Sequence, residues 1–242
     1  MRQSRSGITL AMMLSAMLWT ALAAAPARAE ADAAAEIDRT LADCTVSQLV
    51  GPRDIPLPLD FSDDLLDHPD LAAFVVRRRG LAPYRVEMIG PDRSAADDGD
   101  GTRGVIELVR RERGRRLYYG VGEHHSRVWP VIRADAVIDM TLKEVASADG
   151  PAATRTSFLV CVRLKNPFLS GVVKLLRPFV RKTVIGKFTK AFFVADRVGR
   201  LARADPRGMQ DDIDAFPALT PLEREDFRTR LAGLERRGGP RR

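Results

Sequence analysis

The longest helical pattern after the N-terminal leader lies at residues 167–203, PFLSGVVKLLRPFVRKTVIGKFTKAFFVADRVGRLAR. From its middle onward, apolar residues recur at steps of three and four, as on one face of a helix. These residues are Val184, Phe188, Ala191, Ala195, Val198 and Ala202. Pro178 and Gly186 predict a bent or two-part helix, with a membrane-compatible first half at 168–180 and a covering second half at 184–203. The stretch therefore predicts a long helix that covers another layer of the fold.

Two segments that alternate between apolar and polar residues come directly before this helix. In 133–143 and 155–165, apolar side chains occupy the even-numbered positions, and polar ones occupy most of the odd-numbered positions. The apolar set is Ala134, Ala136, Ile138, Met140, Leu142, Phe158, Val160, Val162 and Leu164. Such alternation predicts an antiparallel pair of strands with one packed face and one wet face. Cys161 falls on the wetter face.

Further strands are predicted upstream of this pair. Residues 84–89 alternate in the same way, and 104–111 and 115–122 flank a hairpin turn that contains Gly114. The polar segment 91–104 is interpreted as a turn region.

Helices are predicted on both sides of the strands. In chain order they cover 33–50, 68–79 and 221 to about 234. Gly51-Pro52 ends the first helix, and Thr220 with Glu223 forms a capping box that opens the last one. The residues from 206 to 219 are interpreted as a linker.

The order of these elements resembles the START-like superfamily, also called SRPBCC or helix-grip. The resemblance is carried by the last strand and its exit, FLVCVRLKNPF at 158–168, and by SGVVKLLRPFVRK at 170–182 with the helix that follows. It implies an α+β fold in which a curved antiparallel sheet grips a long C-terminal helix, with extra N- and C-terminal helices. Members of this superfamily hold lipids, sterols, polyketides or other apolar ligands between the sheet and the helix, and some are enzymes.

The first 29 residues have the features of a cleaved signal peptide. Arg2 and Arg5 precede an apolar segment at 8–25, and Ala27-Arg28-Ala29 matches a cleavage site. An uncleaved membrane anchor is the alternative. Cleavage after Ala29 predicts a periplasmic or secreted protein. The remaining chain is divided into an N-terminal helical segment at 30–82, a START-like domain at 83–205, and a linker, short helix and basic tail at 206–242.

Cys44 and Cys161 are the two cysteines of the chain. In an oxidising compartment the default is one disulfide, which would close a long loop. Two separate buried thiols are the alternative, because spacing alone does not show proximity.

The net charge bounds the kinds of partner. The formal charge of +7 falls by three when the arginines of the leader are removed. Scattered arginines and few aromatic residues in an exported protein argue against a nucleic-acid partner. An anionic membrane surface fits better, because basic residues beside a membrane contribute about 1 kcal/mol each. The cations assigned to that surface are Arg177, Arg181, Lys182, Lys187 and Lys190; a solvated basic face without a partner is the alternative.

A pocket for an apolar ligand is expected between the sheet and the long helix. Its expected lining is Tyr119, Trp129, Ile138, Met140, Phe158, Val160, Val184, Phe188, Ala191 and Ala195. Small residues on a helical stripe also allow helix and sheet to approach closely, so a fully packed core without a cavity is the alternative.

Glu123 and His125 are the weak catalytic candidates. They share one face of a strand and so can form an acid–base pair. Asp97–Gly101 resembles a calcium loop, but Arg103 stands where an EF-hand requires glycine, so a flexible turn is expected. The sequence predicts no metal site and no cofactor.

These patterns favour a non-enzymatic exported carrier for a hydrophobic, lipid-like ligand held between the sheet and the long helix. One alternative is an enzyme of the same fold that acts on an apolar substrate. Another is an envelope factor that docks a protein partner through its basic helix or through 206–242.

Overall fold

The main feature of Asp43–Arg242 is a seven-stranded antiparallel sheet with the strand order β1-β7-β6-β5-β4-β3-β2. The strands are β1 (Val46–Ile55), β2 (Arg85–Gly90), β3 (Arg93–Asp97), β4 (Thr102–Glu112), β5 (Arg115–His124), β6 (Ile132–Ser147) and β7 (Gly150–Leu164). The first strand pairs with the last, with Val46 opposite Val162 and Val50 opposite Phe158. β1 and β2 are therefore the two edges of the sheet.

The computed structural model describes residues 33–126, 131–147, 150–165 and 173–238. The chain divides into two compact units, Met1–Ala42 and Asp43–Arg242. In the first unit the described residues form helix α1, 33–42. The predicted signal peptide and its cleavage site lie outside the described residues.

The described helices of the second unit pack on the sheet and on one another. They are α2 (Leu59–Asp67), α3 (Pro69–Arg78), α4 (Val173–Ala204), α5 (Pro206–Asp214) and α6 (Pro221–Gly238). α2 and α3 connect the two edge strands, and α4 lies against the sheet, where Phe188 and Phe192 contact Phe158 of β7. Within the described ranges, no helix has the length and apolar character needed to span a membrane.

Side chains of β6 and β7 alternate between the face under α4, called the inner face, and the opposite, outer face. Ile138 is paired with Val160 on the inner face, and Met140 with Phe158. Leu159, on the outer face, is 48% exposed. This arrangement confirms the predicted α+β fold, in which an antiparallel sheet grips a long helix.

The C-terminal half of α4 is buried among the shorter helices. The buried residues of this cluster include Phe61, Leu71, Val75, Val198, Ala202, Met209, Ile213, Phe227 and Leu231. Burial of each large side chain contributes about 1.5–3 kcal/mol relative to exposure. α5 and α6 are thus part of the core.

Ion pairs fix these helices to one another and to the sheet. Arg78 of α3 and Arg79, which follows the helix, both bind Asp212 of α5, whose side chain is 6% exposed. Arg116 of β5, which is also buried, binds Asp67 of α2. A buried charge that loses its partner is costly, so these pairs specify where α2, α3 and α5 lie.

Cys44 and Cys161 form a disulfide, with their Cα atoms 5.6 Å apart. The bond confirms the predicted pairing and ties the residues just before β1 to β7. Cys161 lies on the outer face, as its odd-numbered position predicts, but it is buried there. This part of the outer face is therefore not wet.

The predicted first helix is wrong beyond residue 42. Residues from Val46 onward belong to β1, so the segment expected to be helical contributes an edge strand. Val46 and Val50 are both buried, and their spacing of four fits one face of a helix as well as one face of a strand. Pairing with β7 makes this segment a strand and not a helix. Gly51 does not end a helix; it lies at a bulge of β1 with a φ of 101°, where a Cβ would be 2.9 Å from a carbonyl oxygen of β7.

Several shorter elements also differ from the prediction. α2 has no predicted counterpart, the turn region 91–104 contains β3, and the expected linker contains α5. Asp205 begins α5 by accepting a hydrogen bond from the amide of Gly208. The predicted start of α6 is confirmed, because Thr220 and Glu223 each accept a hydrogen bond from the amide of the other.

α4 is one continuous helix, so its predicted division into two parts is wrong. Pro178 lies near its start and lacks the amide for one helical hydrogen bond. Gly186 lies in the interior, where nothing is close to its Cβ position. Packing of Val180, Phe188 and Phe192 against the sheet compensates for these two weak positions.

Candidate ligand-binding site

Three adjoining chambers lie between the inner face of the sheet and the helices. Chamber 1, of about 330 Å³, lies under the N-terminal half of α4, where Phe179 and Val184 face Ile138 and Val160. Chamber 2, of about 250 Å³, is bordered by β2–β6 and the start of α3. Chamber 3, of about 260 Å³, is bordered by α2, α3 and the C-terminal half of α4.

Two phenylalanine rings stand at the boundaries of the chambers. Phe158 borders chambers 2 and 3, and Phe188 borders chambers 1 and 2. Their ring centroids are 4.8 Å apart. The two side chains therefore form the partition between otherwise neighbouring spaces.

Small residues of the sheet leave room for chamber 1. Gly120, Ala134 and Ala136 lie on its floor. A Cβ at Gly120 would be 3.7 Å from the closest atom, an ordinary contact distance, so a side chain there has space to extend. At Gly104, by contrast, a Cβ would be 2.4 Å from the carbonyl oxygen of Val121, which requires glycine. The chamber thus exists because several floor positions carry little or no side chain.

Most of the predicted lining residues border the chambers. They are Ile138, Met140, Phe158, Val160, Val184, Phe188, Ala191 and Ala195. Trp129 lies outside the described residues.

Tyr119 is not on the predicted side of the sheet. It is buried on the outer face, where it is paired with Val137 of β6. Successive residues of a strand point to opposite faces, so the inward-facing tyrosine is Tyr118, which borders chamber 2. Burial, only partly offset by the neighbouring Arg116, raises the pKa of Tyr118 and keeps its phenol neutral.

Polar side chains cluster at one end of chamber 1, called the polar end: Asp98, Thr102, His124 and Lys187. Thr102 Oγ1 and His124 Nδ1 are 2.9 Å apart. Lys187 Nζ lies 2.5 Å from an Asp98 carboxylate oxygen and 3.1 Å from one of Asp100. These ion pairs therefore hold the β3–β4 turn against α4 beside the chamber.

The environment of the polar end sets two protonation states. Burial and the nearby Lys187 ammonium lower the pKa of His124, which favours a neutral imidazole. Burial opposes ionisation of Asp98, but hydrogen bonds from Lys187 and from the Thr102 and Asp100 amides outweigh it and lower the pKa of Asp98. Asp98 is therefore a stable carboxylate.

The segment that resembles a calcium loop forms a tight turn. The side chain of Asp97 accepts the amide of Gly99, and that of Asp98 accepts the amides of Asp100 and Thr102. These bonds, together with Lys187, occupy the carboxylates. Across the described part of the chain, no group of three His, Cys, Asp or Glu side chains is arranged to hold a metal ion.

Glu123 and His125 do form a pair, with 2.9 Å between Glu123 Oε1 and His125 Nε2. Arg103 donates to the same carboxylate oxygen. The hydrogen bonds from His125 and then Arg103 lower the pKa of Glu123, which makes it a weaker base. His125 is exposed and borders none of the chambers, whereas Glu123 borders chamber 1 at its rim, so the pair lies at the edge of the apolar space.

The predicted basic surface is only partly available. Lys187 is engaged by Asp98 and Asp100, and Lys190 lies 5.9 Å from the centre of the Tyr84 ring. The cations that remain, Arg177, Arg181 and Lys182, line an open groove between α4 and β1. Arg177 Nε donates to the Thr45 carbonyl oxygen, and Arg181 Nε donates to the side-chain oxygen of Gln48; each donor–acceptor distance is 2.9 Å.

His124 borders chamber 1, although the candidate site residue predicted from the sequence is His125. The alternation that places Tyr118 and Gly120 on the inner face also places His124 there, and this rule was sufficient to identify it. The contribution of Lys187 and the β3–β4 turn had no comparable signal, because their contact joins residues that are far apart in sequence.

The sheet and α4 together define a helix-grip fold. No family model matches the sequence, and no curated protein matches it. Among solved structures, a conserved protein from Geobacillus kaustophilus aligns with 64% of this chain and 97% of its own, at 13% identity and a TM-score of 0.44. The structure of Ara h 8.0201 aligns with 64% of this chain and 98% of its own, at 10% identity and a TM-score of 0.41. Both likenesses are distant, and the proposals rest on the chambers of this chain.

Proposed function

We propose that this chain is an exported carrier that binds an apolar, lipid-like small molecule between the sheet and α4. The observation that carries this proposal is the carbon-rich lining of the adjoining chambers. Spaces of about 330 and 260 Å³, lined mainly by apolar side chains and open to solvent on one side, have the size and chemistry of a site for a small apolar molecule. Each 100 Å² of ligand surface removed from water contributes about 2.5 kcal/mol to binding.

Substitution of the chamber floor tests this proposal. Gly120→Leu would extend a side chain into chamber 1, while Leu159→Phe enlarges an exposed side chain of the outer face that borders none of the three chambers. We expect the apolar fluorophore N-phenyl-1-naphthylamine to bind the wild type and Leu159→Phe equally, and Gly120→Leu at least about tenfold more weakly. Urea unfolding of all three proteins shows that each is folded.

Two results would contradict the carrier function. One is a wild-type protein that binds no apolar probe and yields no lipid when extracted and analysed by mass spectrometry. The other is equal probe binding by Gly120→Leu, which would place the probe outside chamber 1.

Export is supported by the sequence of the leader and by the disulfide, since disulfides persist in oxidising compartments. N-terminal sequencing of the protein recovered from the periplasm of an expressing bacterium should begin at Glu30. Recovery of a chain that still begins at Met1, from the cytoplasm, would contradict export.

Loading from an anionic membrane is the second part of the proposal. It rests on Arg177, Arg181 and Lys182: the two arginines donate to neutral oxygens, and among the described residues none of the three forms a salt bridge with a carboxylate. Vesicles containing phosphatidylglycerol should bind the wild type and Lys190→Gln alike, and bind the triple variant Arg177→Gln, Arg181→Gln, Lys182→Gln much more weakly. Binding that is insensitive to salt and to this variant would exclude the electrostatic contact.

A further inference from the structure

The polar end of chamber 1 contains little free positive charge. Lys187 is shared by two carboxylates, Asp98 and Asp100, so this group of three carries a net negative charge. The neighbouring Arg103, at the rim, is paired with Glu123. An anionic head group would therefore meet cations that are already neutralised, and it would be repelled by the excess carboxylate.

His124 is the member of the polar end that retains an unused hydrogen-bonding atom. Nδ1 is engaged by Thr102 Oγ1, and among the described residues no hydrogen bond reaches Nε2. A neutral imidazole has one donor nitrogen and one acceptor nitrogen. The tautomer determines whether Nε2 is the donor or the acceptor. A hydroxyl group can donate as well as accept, so it satisfies Nε2 in either tautomer, whereas a ketone or ether oxygen satisfies only one.

The geometry points to a specific ligand class for chamber 1: an apolar molecule that carries one uncharged hydroxyl group, which His124 Nε2 binds at the polar end. This inference rests on the proposed carrier function and adds the polar group that the ligand must have. Thr102 orients the imidazole, and the apolar part of the ligand lies against Ile138, Val160 and Val184. His124 is only half-buried, so water can bond Nε2 when no ligand is bound. A ligand that displaces this water without replacing its hydrogen bond loses affinity, so the hydroxyl adds selectivity as well as affinity.

A series of ligands with the same chain and different head groups tests this inference. Displacement of N-phenyl-1-naphthylamine would be measured with 1-decanol, decyl methyl ether and decanoate at pH 8. We expect 1-decanol to bind about tenfold more tightly than the ether, and decanoate to be the weakest. His124→Phe keeps a ring of similar size and should remove the preference for the alcohol without weakening the ether. His125→Phe, its outer-face neighbour, should behave as the wild type.

A direct measurement avoids dependence on the variant. In the wild type, ¹⁵N NMR of the imidazole should show a shift of His124 Nε2 on addition of 1-decanol and not on addition of the ether. Equal affinities for all three compounds, or an unchanged preference in folded His124→Phe, would overturn this inference while leaving the carrier function intact. Failure of all three compounds to displace the probe would overturn the binding of apolar chains on which both proposals depend.

Discussion

Two neighbouring histidines acquire opposite environments from a single step along β5. His124 points to the inner face, where it is half-buried and bonded to Thr102. His125 points the other way and is bound to the carboxylate of Glu123 at an exposed rim. Because the period of a strand is two, sequence position alone separates a residue of the chamber from a residue of the surface.

The contact between Asp98 and Lys187 gives a prediction at the same scale. Asparagine at position 98 can still accept the turn amides but cannot pair with Lys187 as an ion. Asp98→Asn should therefore lower the free energy of unfolding at pH 7 by about 1–2 kcal/mol. The pKa of Asp98 is lower in the folded chain than its ordinary 3.8. The carboxylate therefore makes its full contribution to the free energy of unfolding above pH 3.8. This contribution is lost as the pH falls through the lowered pKa of the folded chain.

Urea unfolding of the wild type and Asp98→Asn at pH 7, 5 and 3 measures this dependence. Asp54→Asn provides the control, because Asp54 pairs with Arg155 where both side chains are about half-exposed, and solvent screens the pair. A difference between wild type and Asp98→Asn that is equal at all three pH values would contradict an ionic origin.

At the scale of elements, helix ends are specified by a few side chains. The cap at Asp205 begins α5, and the reciprocal bonds of Thr220 and Glu223 begin α6. Both helices supply buried residues to the cluster around the C-terminal half of α4. Caps far from the chambers therefore support the wall of chamber 3.

Thr220→Ala removes the hydroxyl that caps α6. It should lower the free energy of unfolding by about 1 kcal/mol, and Thr220→Ser, which keeps the hydroxyl, should lower it much less. Thermal or urea unfolding followed by circular dichroism measures both. Equal losses for alanine and serine would show that the methyl group of Thr220, and not the cap, is responsible.

At the scale of the whole molecule, the first and last strands in sequence are neighbours in the sheet. β1 pairs with β7, and the disulfide between Cys44 and Cys161 joins residues separated by 117 positions. The paired serine variant, Cys44→Ser with Cys161→Ser, should lose about 3–5 kcal/mol of stability, because a long loop is no longer closed in the unfolded chain. Reduction of the wild type should give the same loss in urea unfolding. Detection of two free thiols in the native, unreduced protein would contradict the bond.

The sequence predicts elements well where periodicity and local chemistry agree. The alternation at 133–143 and 155–165, the hairpin around Gly114 and the capping box at Thr220 all correspond to elements of the structure. Each of these signals is contained within a short window, so no distant contact is needed to interpret it.

The errors arise where contacts between residues far apart in sequence determine the local structure. Val46 and Val50 fit a helix or a strand equally, and only pairing with β7 distinguishes the two. Periodicity identifies an apolar face but not the distance to the layer opposite, so only the resemblance to a superfamily predicts a pocket there. The prediction that Tyr119 lines the pocket is wrong, because the alternation of β5 places Tyr118 on the inner face and Tyr119 on the outer face.

The pairing of the first strand with the last also sets the order of events while the chain is made. β1 is synthesised long before β7, so the hydrogen-bonding edge that pairs with β7 stays open until nearly the whole sheet has emerged. Pairings between such distant segments are slow to form. A chain halted before Gly150 lacks β7, the neighbour of β1, and one halted before Cys161 lacks the partner of Cys44. Oxidation of the two cysteines therefore reports that synthesis of the sheet is complete.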